Sequence, residues 1–152
     1  MSRRFRRYLI PASEVEYGGV LLSDTLSPTD QAALRNLAAS LTTYRRAAPG
    51  GSLATLRAFL AVADQGPITP LDISRCMGAP QSAVSTALSM IAENSPLDRK
   101  RLKPSPSLIS SAMHPVDARS KLFALTEKGA QLAAEMRATL ETTGQEMLAC
   151  ES

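Results

Sequence analysis

Several things are scarce in this chain of 152 residues, and each scarcity removes a class of protein. There is no tryptophan, and aromatic residues make up only 4%. That excludes an aromatic-rich sheet protein and a sugar-stacking module. Histidine occurs once, at His114, and cysteine twice, at Cys76 and Cys150. No CxxC pair or Cys/His cluster is present. A zinc finger, an iron–sulfur site and a histidine-based triad are therefore excluded. No metal or other cofactor is expected. Two distant cysteines do not make a disulfide framework, which fits a reducing compartment. No run approaches the 18 apolar residues of a membrane span. Residues Met1–Arg7 carry the charge of a signal n-region, but Tyr8–Pro11 is too short for the apolar segment that must follow. The expectation is a cytoplasmic protein.

What remains is enough for a core. The apolar fraction is 44%, and the length suits one domain with appendages. The net charge is only +3, but it is unevenly placed. Residues 1–7 hold Arg3, Arg4, Arg6 and Arg7 and no acid. Residues 95–121 hold Arg99, Lys100, Arg101, Lys103, Arg119 and Lys121 against Asp98 and Asp117. The remaining segments are acidic on balance. Local basic patches of this kind attract polyanions, nucleic acid above all. A solvated loop and a basic tag are the plainer account of the same charges.

Residues 1–27 show no helical periodicity and are broken by Pro11 and Gly18-Gly19, so they read as an extended basic arm. Ser27-Pro28-Thr29-Asp30 opens a helix that Pro49-Gly50-Gly51 ends. Leu34, Leu37, Leu41 and Tyr44 recur along it at helical spacing. Ser52 starts a second helix. Its stripe is Leu53, Leu56, Leu60 and Ala63, widened by Phe59 and Val62. Thr69-Pro70-Leu71-Asp72 combines a cap, a first-turn proline and a returning carboxylate, and Gly78 stops this third helix. One residue later Pro80 introduces a helix from Gln81 to Glu93, with Val84, Leu88 and Ile91 as its apolar back.

Two short helices joined by a tight glycine turn make a helix-turn-helix. The outer face of the second helix carries Ser82, Ser85, Thr86 and Ser89 and no charge before Glu93. Short hydroxyl side chains let a helix sink into a DNA groove and bond bases or phosphates. An ordinary helical hairpin with a polar face is the rival reading. Surface helices usually carry Lys, Glu and Arg there, which favours the groove. After a basic connector, Leu108–Met113 and Ser120–Leu125 read as paired strands around a turn at His114–Arg119. A hairpin placed directly after a helix-turn-helix is a wing. Thr126 then caps a last helix whose stripe is Leu132, Met136, Leu140 and Met147.

Three stretches together resemble the MarR family of winged-helix transcription regulators, over roughly residues 52–137. They are Thr69–Gly78, Gln81–Leu88, and Asp117-Ala118-Arg119 followed by Leu125-Thr126-Glu127-Lys128-Gly129. The last looks like the family's wing signature. The resemblance implies a mainly α fold with a small β-hairpin wing, a winged helix-turn-helix over 52–126. Dimerisation helices at 28–49 and 127–152 would flank it. It further implies a homodimeric DNA-binding regulator, acting as a repressor on double-stranded DNA, with a small-molecule effector. The helix from Gln81 would lie in the major groove and Arg119 near the minor groove, with Asp117 orienting it.

Two features depart from the pattern. The stretch Asp98–Ser107 lengthens the path to the wing. The helix from Gln81 lacks Arg and Lys, so the commonest guanine contact is missing. Gln81 is then the best base reader, through adenine. Phosphate attraction falls to Arg75, Arg99, Arg101, Lys121 and the arm. The rival functions are a winged helix used for protein–protein contact and an architectural role on DNA in replication or partition. No nucleophile–base pair or carboxylate pair suggests an enzyme. Cys76 reads as a partly buried, inert residue rather than a redox sensor, and His114 as a turn residue.

Overall fold

A computed structural model describes residues 26–95 and 105–149. The basic arm up to residue 25, Arg99, Arg101 and Cys150 lie outside the described residues. The elements run α1 (Pro28–Ala47), α2 (Leu53–Gln65), α3 (Pro70–Met77), α4 (Gln81–Ile91), β1 (Ile109–Met113), β2 (Lys121–Leu125) and α5 (Glu127–Ala149). The fold is mainly α with one antiparallel hairpin, as the sequence implies.

Four of the five described helices start where a short polar side chain takes an orphan amide. Ser27 accepts from the Asp30 amide at 3.2 Å, Ser52 from Thr55 at 3.3 Å, and Thr69 from Asp72 at 3.2 Å. Thr126 accepts from Gly129 at 3.0 Å and donates to the Ser107 carbonyl at 2.7 Å, which ties α5 to the segment leading into β1. Gly129 is the residue that this approach demands. A Cβ there would collide with the Leu108 carbonyl. Gly78 ends α3 in the left-handed conformation, φ +60°, and turns the chain into α4. From α2, Arg57 donates to the Met77 carbonyl at 2.7 Å and closes the end of α3.

The core sits among α2, α3, α4 and the hairpin. Phe59, Ile73, Val84, Leu88, Ile91, Leu108 and Ile109 are fully buried. Burial on α2 centres on Thr55, Leu56, Ala58, Phe59 and Val62, while Leu53 and Leu60 stay exposed. The α2 stripe expected from sequence is thus rotated toward Phe59, because α4 and β2 cover that side. Helix α4 ends at Ile91, two residues before the expected Glu93. Ala92 is extended and bridges to Ile109, with the Glu93 amide donating to the Ile109 carbonyl at 2.9 Å.

The hairpin pairs Ile109 with Leu125 and Met113 with Lys121. Ile68 joins it from the α2–α3 loop, exchanging both backbone bonds with Phe123 at 2.9 and 3.0 Å. The wing is thereby fastened to the helices on both sides. Helix α1 packs on α5. Its inner face is Ser40 and Tyr44, not the leucine stripe, and Ser40 donates to the Met136 carbonyl at 3.3 Å. Tyr44 reaches back to the winged unit, bonding Thr55 at 3.2 Å with its ring 5.6 Å from Phe59. Among the described residues, no helix is long and apolar enough to cross a membrane.

Candidate nucleic-acid interface

The start of α3, the exposed side of α4 and the inner edge of the hairpin enclose an open cleft of about 800 Å³. Five of the residues singled out from sequence line it together: Gln81, Ser85 and Ser89 from α4, with Arg119 and Lys121 from the wing. Asp72 and Glu93 also reach the cleft. Asp72 is already engaged, by Thr69 at 2.7 Å and by Arg75 at 3.2 Å. Arg119 and Lys121 form no ion pair among the described residues. The cleft therefore sets cations free of ion pairs on one wall against the amide and hydroxyl groups of α4 on the other, with the Glu93 carboxylate also in its lining.

Ser82 and Thr86 lie exposed on α4 but outside the cleft lining. The Thr86 hydroxyl donates to the Ser82 carbonyl at 3.0 Å, so its proton is spent within the helix and its oxygen is left to accept. Arg75 is exposed on α3, beside Asp72 and away from the cleft.

Asp117 does not grip the Arg119 guanidinium. One carboxylate oxygen accepts from the Arg119 backbone amide at 3.0 Å and the other from the Ser120 hydroxyl at 2.7 Å. The bond from Ser120, then that from the Arg119 amide, holds the Asp117 carboxyl below the usual carboxylate range. Asp117 thus shapes the turn and leaves the Arg119 side chain free. His114 completes the turn: its Nδ1 accepts from the amides of Val116 and Asp117, both at 3.2 Å.

Cys76 is exposed, not partly buried. The buried side of α3 is supplied by Ile73 and Met77, which leaves Cys76 on the outer turn.

One feature of this interface was not read from the sequence. Pro80 occupies the cap position of α4 and offers no capping side chain, so the amides of Gln81 and Ser82 in the first turn remain for an outside acceptor. The signal was there in the proline itself, since every other helix N-cap among the described residues is Ser or Thr. A second cleft of about 550 Å³ lies where the end of α1, the end of α4 and the start of α5 meet, lined by Met90, Ile91 and Pro106 together with Arg46 and Lys128.

Solved structures share this architecture. RV1404 from Mycobacterium tuberculosis is 18% identical and aligns over 89% of this chain and 82% of its own, with a TM-score of 0.60. The transcriptional regulator Tm0710 from Thermotoga maritima is 15% identical over 81% of this chain and 77% of its own, with a TM-score of 0.59. A mutant MarR from E. coli, complexed with operator DNA, is 18% identical over 84% of this chain and 79% of its own, with a TM-score of 0.50. No family model matches the chain, and no curated protein matches it. The fold is that of a winged helix-turn-helix. More particularly it is MarR-like, with helices before and after the winged unit packed on each other.

Proposed function

We propose that this protein is a cytoplasmic, DNA-binding transcription regulator, a homodimeric repressor that sets α4 in the major groove and the wing near Arg119 over the adjacent minor groove. The observation that carries the proposal is the shared cleft, in which Gln81, Ser85 and Ser89 face Arg119 and Lys121. A major groove about 12 Å wide admits a helix, and small hydroxyl residues let it approach closely. Gln81 at the first turn supplies the bidentate pattern that adenine matches. The uncapped amides of Gln81 and Ser82 suit a backbone phosphate, since a helix N-terminus favours negative charge. A narrow minor groove attracts a free guanidinium such as that of Arg119. The mutant MarR from E. coli with the same fold is complexed with operator DNA, which supports double-stranded DNA as the partner.

The exposed leucines Leu34, Leu37 and Leu41 on α1, with Leu140 on α5, support a dimer built through these helices. The second cleft, whose lining combines apolar Met90, Ile91 and Pro106 with Arg46 and Lys128, suits a small amphipathic anion as effector.

Duplex binding measured by fluorescence anisotropy across a salt series tests the reading. Affinity falls steeply with salt, and selection from a random duplex pool returns a palindrome, because operator symmetry mirrors that of the dimer. Arg119→Ala weakens binding by about tenfold and lowers the salt slope by about one. Equal affinity for every duplex points instead to the architectural role. No binding at low salt removes DNA as the partner and leaves protein–protein contact.

A further inference from the structure

We infer that the wing tip is a rigid apolar wedge that enters a base step of the minor groove and bends the duplex. The inference rests on the DNA-binding reading above and extends it from charge to shape. Val116, at the tip, is 89% exposed and Met113 is 67% exposed, with Pro115 exposed between them. Water-facing apolar side chains grouped at the end of a projecting hairpin are not explained by the core, which lies at the hairpin's other end with Leu108 and Ile109.

The tip is also braced from within. The amides of Val116 and Asp117 donate to His114 Nδ1, and the Arg119 amide donates to Asp117. The Ser120 amide donates to the Asp117 carbonyl at 3.0 Å, and the His114 amide to the Ser120 carbonyl at 3.0 Å. A loop that spends this many amides on itself holds Pro115 and Val116 forward in one shape. Insertion between bases demands that stiffness, since a floppy tip would lose entropy on entering the stack.

The charges beside the tip select the occupant. Lys121 stands opposite Met113 across the hairpin, and Arg119 follows the turn. Neither is paired among the described residues. The only acid of the tip, Asp117, has both oxygens engaged inside the turn. Cations flanking an apolar point fit phosphates flanking a base step. Arg119 and Lys121 also line the cleft beside α4, so tip and cleft form one continuous surface. Apolar wedges of this type part a base step and kink the duplex toward the major groove. Pyrimidine–purine steps, which unstack most easily, are the expected targets.

The test measures DNA bending by the full-length chain on the duplex recovered by selection, using end-to-end energy transfer and the fluorescence of 2-aminopurine placed at the contacted step. The wild-type protein shortens the end-to-end distance and unstacks the probe. Met113→Ser with Val116→Ser abolishes both signals. It weakens binding by about tenfold, the affinity equivalent of one buried valine side chain. The salt slope is unchanged, because no charge is lost. Val116→Ile keeps the bend, and an unaltered melting temperature shows that each variant is folded. A double variant that still bends and unstacks the duplex like the wild type overturns the wedge. So does a wild type that binds its selected duplex without bending it, and in that case the regulator reading stands. A wild type that binds no duplex overturns both.

Discussion

Val84, Leu88 and Ile91 recur at helical spacing along α4, and all three are buried. Leu34, Leu37 and Leu41 recur in the same way along α1 and remain 52%, 45% and 39% exposed. The same sequence pattern has met two different fates. In the winged unit, three helices and a hairpin close around the stripe. In the outer pair, α1 has two usable faces. The one turned to α5 carries Ser40, whose small side chain allows a close approach and a bond to the Met136 carbonyl, while Tyr44 is buried against α2. The leucines are left outward. Periodicity therefore says which face is apolar, but not what covers it. The winged unit buries its stripe within one chain, whereas α1 leaves its leucines exposed, the surface that the proposed dimer would cover.

The sharpest way to break that contrast is at Phe59, the largest fully buried side chain of the winged unit and the one in ring contact with Tyr44. Phe59→Ala costs about 3–5 kcal/mol, the usual range for a buried aromatic. Its melting temperature falls by roughly 10 °C, by the same amount at every protein concentration. A loss that shrinks as the protein is concentrated would mean that the winged unit also depends on a second chain.

The complementary change is made on α1. Leu37→Ser with Leu41→Ser removes side chains that are already half in water, so a lone chain loses little, about 1 kcal/mol or less. A dimer loses about 2–4 kcal/mol, since each leucine is replaced in both copies. Light scattering then shows a fall from twice the chain mass to the chain mass at micromolar concentration. The wild type's concentration-dependent melting disappears with it. A variant with unchanged mass refutes the assignment of this face.

Much of this fold was legible because its boundaries are written locally. Ser27, Ser52, Thr69 and Thr126 cap the helices that their positions predict, and Gly78 turns where a helix-turn-helix needs it. The hairpin was legible because His114-Pro115-Val116-Asp117 cannot continue a strand. What escaped depends on distant partners. Ile68 pairs with Phe123 across more than fifty residues, and nothing near Ile68 announces it. The role of Gly129 depends on where the Leu108 carbonyl arrives. The candidate site divides in the same way. Gln81, Ser85, Ser89, Arg119 and Lys121 follow from a helical face and a wing, and they converge on one cleft. The family resemblance implied that Asp117 orients Arg119, yet the carboxylate takes the Arg119 backbone amide, because that closes a turn and an exposed ion pair would add little.

The smallest effect sharpens the contrast from the winged side. Ser120 and then the Arg119 amide stabilise the ionised Asp117, so its folded pKa lies below the unfolded value. Such a group supports the turn at any pH above the ordinary carboxylate range. It withdraws that support as pH falls through the lowered folded value. Asp117 is fully exposed, so global stability barely responds. The response is local: on acidification the Arg119 and Ser120 amides shift in the NMR spectrum with a midpoint below the ordinary carboxylate range. Asp117→Asn removes that titration and leaves the rest of the spectrum in place. Because the bonds of Asp117 stay within the turn, the α1 amides do not move at this midpoint. If they do, the wing and the outer helices are coupled, and the contrast between the buried stripe of α4 and the exposed one of α1 has to be redrawn.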